Sequence, residues 1–157
     1  SINNYIRAYD LHPNDVVVLS SKISFVRQLN ALWAGTEKTH CMFETYEELA
    51  TCTGIQKGEL QKFDEDGSGS GTKDYKRDIE RVRRVKKNHF YANSGLIKLS
   101  TLHSYKGLES KTVFYLMGED DDPEAVSTSI SRSSENLIIF DIGANNECSG
   151  FMEEAVK

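Results

Sequence analysis

Thr101, His103, Ser104, Lys106, Gly107 and Glu109 put hydroxyls, an imidazole, an amine and a carboxylate into one short turn. Such a set can handle a phosphorylated ligand. Hydroxyls and backbone amides hydrogen-bond phosphate oxygens, a lysine adds positive charge, and a carboxylate accepts from ribose hydroxyls. Gly107 lets the backbone approach a ligand closely. The same residues also describe an ordinary polar strand-to-helix turn at a protein surface. Further along, Arg132 stands between Ser131 and Ser133, shortly before the apolar run Leu137 to Phe140. A guanidinium projecting from a sheet edge there can stabilise negative charge as it develops.

These groups need a scaffold, and the flanking sequence predicts one. Leu96, Ile97 and Leu99 form a β-favouring run introduced by Gly95, so a strand leads into the turn. In an α/β protein ligand-handling groups gather outside the carboxyl ends of the strands. Val16 to Leu19 are four consecutive apolar residues bounded by Asn14-Asp15 and Ser20-Ser21, which predicts a strand buried on both faces of a parallel sheet. Val113 to Met117 read the same way, and Leu137 to Phe140 give a further strand. A weaker one is expected at Thr39 to Phe43.

Helical spacing fills the intervals. Ile2, Tyr5, Ile6 and Tyr9 predict a helix ending before Pro13. Phe25, Leu29 and Leu32, with Val26 and Trp33 alongside, predict a second, N-capped by Ser20 or Ser21 and ended by Gly35. Phe25 and Trp33 read as core. A third runs from about Thr45 to Cys52 with Glu47 and Glu48 in its first turn. Another starts at Pro123 and carries Ala125, Val126 and Ile130, and a short one through Phe151 and Met152 closes the chain. The expected class is α/β, a mostly parallel sheet flanked by helices, in a single domain over 1–157.

Several features look more chemical than they are. The acidic run Glu119 to Asp122 after an apolar strand imitates a magnesium site, but without a phosphate loop it reads as a solvated turn. Periodicity is lost from Gly54 to Thr72, and the Gly-Ser-rich stretch at about 64–72 reads as a flexible linker, either an engineered join or a natural mobile loop. Its glycines precede Thr72 and Lys73, yet the offset fails the phosphate-loop pattern and no apolar strand leads in. The four histidines pair with no carboxylate or cysteine at a catalytic spacing, which argues against a hydrolase or nuclease, and no residue is assigned as a metal ligand.

Composition fits a globular chain, with 38% hydrophobic and 27% charged residues. A net charge of −5 does not by itself mark a nucleic-acid binder, so such a role must rest on local clustering. One cluster exists. Residues 73–89 hold eight Lys or Arg against three Asp or Glu, around a stripe of Tyr75, Ile79, Val82 and Val85, with Phe90 and Tyr91 beside them. Arg83, Arg84, Lys86 and Lys87 would there contact a phosphate backbone. A solvated face with i,i+4 ion pairs is the competing reading. Cys41, Cys52 and Cys148 share no disulfide or ligand spacing and read as reduced thiols. No apolar run reaches membrane length and the first residues form no signal-peptide pattern, so a cytoplasmic protein without a membrane partner is expected.

Thr101-Leu-His-Ser-Tyr-Lys-Gly-Leu-Glu109 resembles the fifth signature motif of the UvrD/Rep class of superfamily 1 DNA helicases, usually Thr-x-His-x-x-Lys-Gly-Leu-Glu. Thr128-Ser-Ile-Ser-Arg-Ser133, followed by Glu135-Asn-Leu-Ile-Ile, resembles the sixth, commonly Val-Ala-Ile-Thr-Arg-Ala. The strand and helix at Val16 to Leu32 stand where the fourth begins. The resemblance implies the second RecA-like motor domain, a three-layer fold, of an ATP-driven helicase that moves along single-stranded DNA. It implies that Gly107 and Glu109 line the ATP site and that Arg132 is the arginine finger. Thr101, His103 and Ser104 would touch the strand, with Lys106 between the two sites. Mg2+ would be held by an N-terminal RecA-like domain of the same protein, and the isolated domain would be inactive. Two positions depart from the pattern: Ser20 stands near the usual fourth-motif arginine, with Lys22 close by, and Ser127 replaces the sixth-motif tyrosine. The alternative is a degenerate RecA-like module that docks nucleic acid or protein through the basic helix or the 150–157 tail, without nucleotide chemistry.

Overall fold

The structure is a computed structural model and describes residues 1–60, 73–90, 94–142 and 148–150. The linker expected at about 64–72, Tyr91, and Phe151 and Met152 of the closing helix lie outside the described residues. The chain divides into two compact units, Ser1–His40 with Asn93–Lys157, and Cys41–Ala92.

A five-stranded sheet comprises β1 (Val16–Ser20), β2 (Thr39–Cys41), β3 (Ile97–Thr101), β4 (Ser110–Met117) and β5 (Ser133–Asp141), in the order β2-β3-β1-β4-β5. β1 pairs in parallel with both β3 and β4, and β4 with β5. Val16, Val17, Val18 and Leu19 are fully buried, each side chain contributing about 1.5–3 kcal/mol relative to exposure. A continuous apolar run needs cover on both faces, and the helices supply it. After β1, α2 (Ile23–Trp33) leads towards the β3 side of the sheet. After β4, α5 (Pro123–Ile130) leads to β5. Right-handed crossovers running in opposite directions place α2 and α5 on opposite faces, giving three layers. The α/β expectation holds.

Helix α1 (Ile2–Ala8) is capped by the Ser1 hydroxyl, which accepts from Asn4 N. Tyr5 stacks on Tyr9 and meets Phe114 of β4 edge-on, and Phe114 stacks on Phe140 of β5, so α1 is fixed to the sheet by aromatic contacts.

The start of α2 differs from expectation. Its N-cap is Lys22, with no side-chain cap bond. The Ser20 hydroxyl is buried and donates to Leu116 O (2.9 Å), and the Ser21 hydroxyl donates to Asp121. Both serines are taken up by the neighbouring strand end before they can cap. The buried positions of α2 are Val26 and Trp33, seven apart, whereas Leu32 is 77% exposed because it lies off that face. Ile130 of α5 is likewise exposed, and Val126 and Ser129 are buried.

In the second unit α3 (Tyr46–Thr53) carries a full capping box between Thr45 and Glu48 and ends on Gly54 at φ +72°. It packs on α4 (Lys73–Phe90), the basic helix.

Candidate functional site

The crossover from Leu102 to Glu109 joins β3 to β4 across β1, and strand register fixes how far it travels. Thr101 pairs with Ser20, which pairs with Leu116. Ser110 at the start of β4 pairs with Ser133. Thr101 is therefore level with Leu116, about 20 Å along the strands from Ser110 at 3.3 Å per residue. The turn read from sequence as one polar cluster serves both ends of the sheet.

At the carboxyl end, Thr101 and Ser104 build the turn itself. The Thr101 hydroxyl accepts from Ser104 N (3.3 Å) and donates to Ser104 Oγ (3.1 Å), and Tyr105 N donates to Thr101 O (3.0 Å). His103 and Lys106 line an open cleft of about 290 Å³ together with Ser21, Asp122, Glu124 and Thr128. Lys106 thus belongs to this end.

At the amino end, Tyr105 pins the crossover. Its buried hydroxyl donates to Glu109 O (3.0 Å) and shares a 2.6 Å bond with Ser110 Oγ; burial pushes its pKa up. Ser110 N donates to Arg132 O (3.0 Å). The Arg132 guanidinium donates through Nη1 to Leu108 O (3.2 Å) and through Nη2 and Nε to Ser131 Oγ (2.9 and 3.3 Å). Every one of these acceptors is neutral, and among the described residues no carboxylate pairs with Arg132. Glu109 is exposed at the same end, beside Leu108. Arg132 is thus hydrogen-bonded to the backbone on either side of Glu109, at Leu108 O and Ser110 N.

Gly107 adopts φ +89°, with nothing within 4 Å of where a Cβ would stand. The constraint is the backbone conformation alone. Gly107→Ala is expected to destabilise the protein by about 1 kcal/mol, read as a lower urea midpoint at unchanged slope.

Near the usual fourth-motif arginine, Ser20 is buried and the Lys22 amine is engaged by Asp120, whose hydrogen bond raises the lysine pKa. The basic helix is also partly committed. Lys86 pairs with Glu48 (2.6 Å) and donates to Phe43 O (2.9 Å) inside its own unit. Arg81 and Arg84 are exposed, while the side chains of Arg83 and Lys87 lie outside the described residues. Phe90 is buried and so cannot stack on a base, and Val85, read as part of the apolar stripe, is exposed.

The expected solvated acidic turn holds a buried carboxylate. Asp121 is 7% exposed and accepts from Gly118 N (3.0 Å), the Tyr115 hydroxyl and the Ser21 hydroxyl. Burial, and then the Asp121 carboxylate, push the Tyr115 pKa far above the ordinary tyrosine range. A pKa raised in the folded state gives stability that is present below the unfolded value and lost as pH rises. The urea midpoint is therefore expected to fall above about pH 10, and to fall less in Tyr115→Phe. Asp122 caps α5 by accepting from Ala125 N (2.7 Å), and Pro123 stands in the first turn, at the helix start expected for it.

Among the described residues no group of three or more His, Cys, Asp or Glu is placed to hold a metal, and no helix is long and apolar enough to cross a membrane. None of the three cysteines is in a disulfide. Fold and site define an α/β domain whose parallel sheet carries a neutral-bound arginine at one end and a polar cleft at the other. Compared with known proteins, the chain matches no family model and no curated protein.

Proposed function

We propose that the chain is the second motor domain of an ATP-driven DNA translocase of the UvrD/Rep type, working against an N-terminal RecA-like domain that supplies the phosphate loop and Mg2+. The observation that carries this reading is Arg132, held beside Leu108 and Glu109 by neutral acceptors only. An arginine kept for structure usually pairs with a carboxylate; one kept for phosphate is spared that partner. Gly107 and Glu109 on the same crossover offer open backbone and a carboxylate for the ribose.

Bound ATP would supply the phosphoryl group that passes to water. Arg132 would exchange Leu108 O and Ser131 Oγ for phosphate oxygens and balance the charge that develops there. At the other end Thr101, His103, Ser104 and Lys106 would hold the single strand. The crossover links the two ends covalently, so closing on nucleotide and gripping the strand can be coupled.

A second reading, a RecA-like binding module without nucleotide chemistry, draws on the Lys22–Asp120 pair, which engages the lysine close to the fourth-motif position. The deciding experiment is ATP turnover with and without single-stranded DNA. The intact protein is expected to hydrolyse ATP faster with the strand, and residues 1–157 alone not at all. Turnover by 1–157 alone, or none by the intact protein, overturns the motor reading.

A further inference from the structure

The cleft at the carboxyl end of the sheet carries chemistry that a phosphate-backbone contact does not need. Neighbouring strands β1 and β4 send their connections in opposite directions, and the crevice outside two such strand ends is where open α/β sheets bind ligands. At about 290 Å³ it lies near the lower limit of ligand pockets and suits one nucleotide-sized group. Its charges are split: Lys106 and His103 come from the crossover, Asp122 and Glu124 from the start of α5. Among the described residues nothing hydrogen-bonds to or pairs with the side chains of His103, Lys106, Glu124 or Thr128. Asp122 uses one carboxylate oxygen on Ala125 N, which leaves the other. Two carboxylates would repel a bare phosphate. A ligand with an anionic end and a donor-bearing ring satisfies both sets.

We propose that this cleft takes one nucleotide of a bound single strand, phosphate towards Lys106 and His103 and base towards Asp122 and Glu124, and that it selects bases bearing an exocyclic amino group over thymine. The proposal rests on the nucleic-acid reading above. An ionised carboxylate only accepts. Cytosine and adenine present an amino donor on the pairing edge, and guanine does so too, whereas thymine presents carbonyl oxygens there. Against Glu124 a thymine oxygen meets lone pairs instead of a donor. Thr128, one helical turn beyond Glu124, has a hydroxyl to donate to the ring nitrogen beside the amino group of cytosine or adenine.

The test is fluorescence anisotropy of residues 1–157 with labelled oligo(dC) and oligo(dT) of equal length. Oligo(dC) is expected to bind about tenfold tighter, the scale of one good base contact. Glu124→Gln, whose amide can also donate to thymine oxygen, should bring the two within about twofold; Lys106→Ala should weaken both alike and lower the salt slope by about one. Equal affinities in the wild-type protein overturn the cleft proposal and leave the nucleic-acid reading standing. A preference that survives Glu124→Gln also overturns it. Binding of neither oligomer removes the nucleic-acid reading, and this proposal with it.

Discussion

Arg132→Ala is expected to lower ATP turnover by the intact protein about 10³-fold or more, the range seen when an arginine finger is removed. The side chain is only half-buried and its acceptors are a backbone carbonyl and a serine hydroxyl that already donates to Thr128 O (2.8 Å). Deleting the guanidinium therefore orphans no buried charge, and stability should change by less than about 1 kcal/mol. Affinity for single-stranded DNA should hold within about twofold, because the residues proposed to contact the strand sit at the far end of the sheet and distant sites are energetically independent. Arg132→Lys should recover little of the rate, since an ammonium lacks the fork that reaches two phosphate oxygens at once. The measurement is steady-state turnover at saturating strand, with a urea melt of each variant as control. Turnover at the wild-type rate in Arg132→Ala takes the finger role from this residue.

The strands were legible because burial on both faces leaves an unmistakable trace: Val16 to Leu19 admit no polar position. Caps and breakers were legible where one residue type has one use, as with Gly35 at a helix end or Pro123 at a helix start. Three things were not. The crossover at 102–109 reads as one cluster because sequence carries no register; only the pairing of Thr101 with Ser20 and of Ser110 with Ser133 separates its ends. Lys86 is one cation among many in a basic helix, and nothing local marks it as the partner of Glu48. In the run Glu119 to Asp122 four carboxylates look equivalent. The available signal was Tyr115, a hydroxyl inside a strand buried on both faces, which must find an acceptor.

That acceptor supports the second large effect. Asp121→Ala should destabilise the protein by about 3 kcal/mol, because it leaves the buried Tyr115 hydroxyl and Gly118 N without their shared partner and frees Ser21 at the end of β1. Asp121→Asn keeps one acceptor oxygen and should cost less, about 1–2 kcal/mol. The mechanism separates from a plain loss of packing through a double substitution. If the cost lies in orphaned donors, Asp121→Ala with Tyr115→Phe should be less destabilising than the sum of the two singles, with a coupling of about 1 kcal/mol. Strict additivity in urea melts would assign the loss to something other than this network. Asp121 also holds the turn that precedes Asp122, so α5 would start from a looser position and Asp122 and Glu124 with it. Under conditions where Asp121→Asn is still folded, the preference for oligo(dC) should shrink while the salt slope stays as in the wild type. That combination places the carboxylate wall, and not the Lys106 side of the cleft, under the control of Asp121.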